Sequence, residues 1–271
     1  MAAEQLLQSM AGAAEIEKPE YKAREEAIRI RLLALQKRLA ESKKAVLILM
    51  NGVEGSGKGE TTKKLLEWLD ARGVETTAFW TASAEEAENP PLWRFWNKLP
   101  SRGRLGIFFG SWYTQPIINR VFRNIDRNAF ESSLDDICKL ESMLTAEGII
   151  LIKLWMYLSP NQQKDILKLG KKKAATKWRV SALTRKFARK RKRFYKIDIE
   201  ALTATHTAAA PWTMVPAQFA RYREIFVGET LIKKLENSLG SDLPTIVPPA
   251  RWQKAPRDFF AELDMTKKLA D

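Results

Sequence analysis

The 271-residue chain holds one cysteine, Cys138, and one histidine, His206. A lone cysteine excludes an intramolecular disulfide, and one Cys with one His cannot build a thiolate/imidazole zinc site. The composition fits a reducing cytoplasm. Long hydrophobic runs are missing as well: the most apolar stretch, Gly148 to Leu158, is interrupted by Lys153 and falls short of the ~20 apolar residues of a spanning helix, so no membrane is expected. The N-terminus MAAEQLLQSMAGAAEIEK lacks the basic region and apolar run of a secretory leader.

Acidic residues are absent from one place. The chain carries 46 Lys+Arg against 32 Asp+Glu, a net charge of +14, yet fourteen of the basic residues and no acidic ones lie between Ile166 and Ile197. Everything outside that window balances. A surplus this local points to a specific polyanion site more than to a diffusely basic protein. With 45% hydrophobic residues, the chain can bury a large single core with appendages.

Periodicity divides the chain into alternating elements. Tyr21 to Ser42 has Ile28, Leu32, Leu33, Leu35 and Leu39 at helical spacing. AVLILMNG, Ala45 to Gly52, is a continuous apolar run followed by glycines, which reads as a strand buried on both faces. Helices are expected over about Thr61 to Ala71, Pro90 to Leu99, Pro116 to Ile125, Ala129 to Glu147, from Ser159-Pro160 onward, and over Gln218 to Ser238. Strands are expected over Val74 to Trp80, Leu105 to Phe109, Gly148 to Tyr157 and Trp212 to Pro216. The alternation implies a three-layer α/β fold with a mainly parallel sheet and helices on both faces. It divides into a helical extension (1–43), a central domain (44–238) and a proline-containing linker or arm (239–271) leading toward a second domain.

The strongest chemical signal is GVEGSGKGETT, Gly52 to Thr62, set between a buried strand and a helix. Gly52, Gly55, Ser56, Gly57 and Gly59 make a turn whose backbone N–H groups can cage phosphate oxygens at the positive end of the following helix. Lys58 would reach the distal phosphates. The common pattern G-x-x-x-x-G-K-[ST] is broken at Gly59, so the hydroxyl that helps hold Mg²⁺ would have to come from Thr61 or Thr62. A purely structural glycine turn is the competing reading. Strand, turn, lysine and helix in register favour phosphate.

GVEGSGKGETTKKLLEWLDARGV, FFGSWY (Phe108 to Tyr113), KWRVS (Lys177 to Ser181) and APWTMVPA (Ala210 to Ala217) together resemble the polyphosphate kinase type-2 family. The resemblance runs from about Tyr21 to Ser238 and is most like the N-terminal half of two-domain polyphosphate:AMP phosphotransferases. It implies a P-loop kinase-like fold that moves a phosphoryl group between inorganic polyphosphate and a nucleoside mono- or diphosphate with Mg²⁺. It also makes the basic window a helical lid, about 168–197, whose Lys177, Arg179, Arg185, Arg189, Lys192 and Arg193 hold polyphosphate. Self-association and a second domain of the same family are expected partners.

Departures from the family pattern are specific. The loop Asp is Glu54, a carboxylate for metal or acceptor. The Asp-Arg before Ser-Trp-Tyr, a metal carboxylate and a transition-state cation, is Phe109-Gly110; Thr114-Gln115 and Asn119 also differ, while Arg120 remains. Phosphoryl transfer depends on positioning and charge neutralisation, so losing both groups should cost on the order of 10³-fold in rate.

Three functions stand open: an active phosphotransferase domain using Lys58 and Glu54, a non-catalytic half that binds polyphosphate or supports an active partner half, and an ATP-dependent small-molecule kinase. A charge run alone reads first as a solvated face, but the phosphate loop in the same domain places polyphosphate ahead of that face and of nucleic acid. Trp93, Phe95, Trp96, Trp112 and Trp212 read as packing residues, Cys138 as buried and inert, and His206 as a loop histidine.

Overall fold

The structure, a computed structural model, describes residues 14–172 and 182–240. Five parallel strands form one sheet: β1 (Ala45–Gly52), β2 (Val74–Ala78), β3 (Leu105–Phe109), β4 (Ile149–Tyr157) and β5 (Trp212–Pro216), in the order β2-β3-β1-β4-β5. Strand β1 lies in the middle, paired with β3 through Val46 and Leu105 and with β4 through Leu47 and Leu151.

The central position explains the apolar run of β1. Val46, Ile48 and Met50 face one core, with Ile28, Leu35, Leu65, Trp68, Val227 and Leu231, whereas Leu47 and Leu49 face the other, with Phe108, Trp112, Phe130, Ile137 and Trp212. Each such side chain contributes about 1.5–3 kcal/mol on burial. The first core is roofed by helices α1 (Lys18–Ala40), α2 (Lys58–Trp68) and α10 (Ala220–Leu239). The second is roofed by α5 (Thr114–Phe122), α6 (Arg127–Ala146) and α9 (Arg191–Ala204). Helix α1 packs along α10, where Arg31 Nε meets Glu236 Oε1 at 2.6 Å.

Differences from the expected elements have local causes. Helix α2 starts at Lys58, ahead of the expected Thr61, because first-turn amides have no intrahelical partner and Gly59 costs little there. Helix α3 (Ala84–Ala87) was not foreseen; Ser83 Oγ accepts from Glu86 N while Ser83 N donates to Glu86 Oε2, a capping box. The aromatic helix shrinks to α4 (Trp93–Trp96). Ser159 and Gln162 cap α7 (Pro160–Lys172) in the same reciprocal way. Within the basic window lie α8 (Ala182–Arg189) and the start of α9, separated at Lys190.

The connection after β1 crosses one face of the sheet through α2, and the connection after β3 crosses the other through α5 and α6. Adjacent strands whose connections part in this way leave a crevice at their C-terminal ends, where open α/β sheets bind ligands. The glycine-rich loop and the residues after Phe109 meet at that crevice.

Candidate functional site

The loop from Gly52 to Gly57 is held from three sides. Val53 N donates to Met156 O of β4, Gln163 Nε2 of α7 donates to Glu54 O at 3.0 Å, and Ser56 N donates to Val53 O. Gly57, the residue before α2, has φ +80°, and a Cβ there would lie 2.4 Å from the Arg223 guanidinium carbon. Only glycine fits both the left-handed conformation and the close approach. Ser56 Oγ and Asn51 Nδ2 are buried without a hydrogen-bond partner among the described residues. Buried donors of this kind are rare, and here they flank a loop of backbone amides at a helix N-terminus.

Lys58 turns back over the loop: its Nζ donates to Gly52 O at 2.8 Å and to Val53 O at 3.0 Å. Enclosure pushes its ammonium below the usual lysine range, against the charges of Glu54 and Asp198. Asp198, buried on α9, is pushed up to about 8 by burial, with Lys58 pulling the other way. Thr62 Oγ1 donates to Lys58 O, and the fully buried Thr61 Oγ1 accepts from Arg223 Nε at 2.8 Å. Gly55 and Gly59 lie at the exposed side of the loop.

At the end of β3 the equipment changes. Phe109 is partly exposed, and its ring lies 6.4 Å from that of Trp80, which is 74% exposed. Gly110 has φ +80°. Ser111 Oγ then donates to Asn51 Oδ1 at 2.9 Å, joining the two strand ends. Trp112 and Tyr113 are buried, and both donate to Glu141 Oε1, Trp112 through Nε1 at 3.1 Å and Tyr113 through its hydroxyl at 2.6 Å.

Beneath that turn, Lys153 of β4 has 0% exposure and donates to Glu141 Oε2 at 2.7 Å, Tyr113 OH at 3.1 Å and Thr205 O at 2.8 Å. Its ammonium also lies 4.7 Å from the Trp212 ring centroid. Burial pushes Glu141 up and Lys153 down, and each opposes the other's shift by its charge. The network ties together the Ser-Trp-Tyr and Ala-Pro-Trp blocks, so Trp112 and Trp212 are packing residues, as expected.

Lys177 and Arg179 lie outside the described residues, as does the arm from residue 241; Arg185 falls in α8. Arg189 and Lys192 are exposed, and Arg193 Nη2 donates to Arg120 O at 3.1 Å, which docks α9 on α5. Arg120 Nε is buried without a partner. Phe187, Phe194 and Phe122 form the apolar underside, and Lys186 and Lys190 lie over the Phe122 ring at 4.7 and 5.3 Å. Phe95 packs in the core while Trp96 stays 48% exposed. Cys138 is half-buried, less than expected, with its thiol against Ala204 O, and His206 Nδ1 accepts from Trp212 N.

Asp198, Gln163, Arg223, Glu141 and Asn51 were not singled out from sequence. Only Lys153 carried a warning, as a charge inside an otherwise apolar strand that must find a buried partner.

The polyphosphate kinase 2 (PPK2) family profile matches residues 15–242. The polyphosphate:AMP phosphotransferase of Pseudomonas aeruginosa is 41% identical over 196 residues, covering 72% of this chain and 40% of that protein. The polyphosphate:AMP phosphotransferase of Pseudomonas syringae pv. tomato is 36% identical over 255 residues, covering 92% of this chain and 51% of its own length. The chain thus spans about half the length of these curated relatives. The crystal structure of polyphosphate kinase 2 from Arthrobacter aurescens TC1 superposes with a TM-score of 0.80 at 28% identity, over 95% of this chain and 89% of that one. A parallel sheet with its glycine-rich loop at the switch point, a profile match over most of the chain and relatives above 35% identity lead to one conclusion: the chain belongs to the polyphosphate kinase 2 family.

Proposed function

We propose that this chain is a polyphosphate-binding phosphotransferase domain acting between inorganic polyphosphate and AMP or ADP, with phosphate binding retained and transfer weakened. The observation that carries the proposal is the contrast at the crevice. The loop offers backbone amides, Lys58 and the unpartnered Ser56 hydroxyl, while the neighbouring strand end offers Phe109 and Gly110. In this reading Lys58 leaves its two carbonyl partners for terminal phosphate oxygens, and Gly52, Gly55, Ser56, Gly57, Gly59, Thr61 and Thr62 form or support the cage. Arg189, Lys192, Arg193 and Arg120, with Lys177, Arg179 and Arg185, supply cations to the chain of phosphates.

The residues present do not fit a protein-held Mg²⁺. Both helix hydroxyls are engaged with protein groups, and the family's carboxylate position is occupied by a phenyl ring. Glu54 remains as the loop carboxylate.

The same observation supports a second reading, in which this half binds polyphosphate and stabilises an active half. Incubating the purified chain with polyphosphate, Mg²⁺ and AMP or ADP separates the two. Slow formation of ADP or ATP supports the weakened enzyme, and none with intact binding supports the second reading. Turnover at the rate of an ordinary kinase overturns the proposed weakening, and no polyphosphate binding at moderate salt overturns both.

A further inference from the structure

Arg223 is a second buried cation at the phosphate loop, contributed from far along the chain by the first turn of α10. It is 5% exposed. Its Nε donates to Thr61 Oγ1 at 2.8 Å and its Nη1 donates to Ala217 O at 3.2 Å. The guanidinium also lies so close to Gly57 that a Cβ on that residue would meet three of its atoms at 2.4 to 2.6 Å. It therefore bridges the phosphate loop, the first turn of α2 and the end of β5.

Its hydrogen-bond partners are a hydroxyl and a carbonyl, both neutral. Glu224 and Glu60 act on it only through longer-range charge. On the loop side it lies behind Gly57, at the positive N-terminal end of the α2 dipole. Among the described residues no carboxylate contacts this buried guanidinium, and a helix N-terminus beside it makes an electrostatically poor place for a cation. An anion seated in the loop changes the sign of that environment, because charges interact strongly where water is excluded.

We propose that Arg223 is a positioning residue for loop-bound phosphate: it fixes Gly57 and Thr61 from behind and adds a positive charge that acts through the loop on the anion in front. The proposal rests on the phosphate-binding reading above. It makes the glycine at position 57 a fitted partner of Arg223, and it gives Thr61 a job different from the metal contact expected of a loop hydroxyl. It also supplies a cation near the crevice whose strand-end position, Gly110, carries none.

The test is calorimetric titration of tripolyphosphate into the wild-type chain, Arg223→Gln and Arg223→Lys at several salt concentrations, with thermal melts alongside. Arg223→Gln should bind about tenfold more weakly, and the dependence of log affinity on log salt should be about one unit less steep, since one cation is lost. Arg223→Lys should keep the wild-type salt slope with an intermediate affinity, because it keeps the charge and loses the fork that reaches Thr61 and Ala217 together. Arg223→Gln with wild-type affinity and slope overturns the proposal and leaves Arg223 a packing residue. So does Arg223→Lys matching Arg223→Gln in both affinity and slope, which would assign the effect to shape alone. Absence of tripolyphosphate binding by the wild-type chain is a different failure, and it removes the phosphate-binding reading together with this one.

Discussion

The ends of β1 and β3 lie side by side, joined by the hydrogen bond from Ser111 to Asn51, and they carry opposite equipment. At the end of β1 are a glycine turn, Lys58 and two buried donors, of Asn51 and Ser56, without partners among the described residues. After β3 come a half-exposed phenyl ring, a left-handed glycine and an exposed tryptophan close by. Yet the β3 end is the more firmly held, since Ser111, Trp112 and Tyr113 are all anchored by buried hydrogen bonds. The difference teaches that scaffold and chemistry are separable: the turn at the end of β3 is firmly built, while Phe109 and Gly110 on it offer neither a carboxylate nor a cation.

The largest effect expected from disturbing this arrangement is on the scaffold. Lys153→Met strands the buried Glu141 carboxylate between Trp112 and Tyr113. Removing one partner of a buried ion pair costs about 3–5 kcal/mol, a loss readable by chemical denaturation. Adding Glu141→Leu should restore much of it, because a buried pair exchanged for apolar residues is often neutral. A single variant as stable as wild type would mean that the β3 turn is held by packing alone.

On the β1 side the decisive variant is Lys58→Ala. A hydrogen bond to a charged group contributes about 1.5–3 kcal/mol, so tripolyphosphate affinity should fall by roughly 10- to 100-fold. Folding should be untouched or slightly improved, since the ammonium is enclosed at some cost. Unchanged affinity in calorimetric titration would make the loop a structural turn.

Much of the β1 side was legible because its signals are contiguous. A run of six apolar residues, four glycines from Gly52 to Gly59 with their lysine, and a helix were enough to place strand, loop and α2, and the five strand positions emerged from alternation alone. The supports were not legible, because each joins residues far apart in sequence: Gln163 reaches Glu54, Arg223 reaches Thr61, and Lys153 reaches Thr205. Periodicity reports which face of an element is apolar; it carries no information on which polar side chain crosses to another element. The lid illustrates the limit within one segment. The basic window reads as one helical stretch, whereas the break at Lys190 puts Phe187 and Phe194 on two helices that close on Phe122.

Rebuilding the β3 end sharpens the contrast from the other direction. Phe109→Asp places a carboxylate at the end of β3, in register with Met50 of β1, and should raise turnover if the lack of a carboxylate there limits transfer. Gly110→Arg is harder, because Gly110 has φ +80° and its Cβ would approach Phe79 O at 3.1 Å. A left-handed non-glycine residue costs roughly 1–2 kcal/mol, so the double variant should melt below Phe109→Asp alone. Equal stability of the two would show that the turn relaxes to accept a side chain. Unchanged turnover in both would assign the proposed weakening to other positions.

The smallest effect concerns the acid that faces Lys58 from the lid side. Burial pushes Asp198 up to about 8, so its carboxyl is neutral at lower pH and becomes an anion as pH rises through that value. An anion beside Lys58 competes with phosphate. If binding needs the neutral form, apparent affinity falls by the fraction that remains protonated. Between pH 6.5 and 8.5 this amounts to about fourfold. Tripolyphosphate has its own titration, so the wild-type profile is to be divided by that of Asp198→Asn, in which the carboxyl is gone and the ligand's contribution is unchanged. A ratio that declines about fourfold over that window places Asp198 within reach of the bound phosphate and makes the lid helix part of the β1 site. A flat ratio confines the coupling to Lys58 and leaves the loop's binding indifferent to α9.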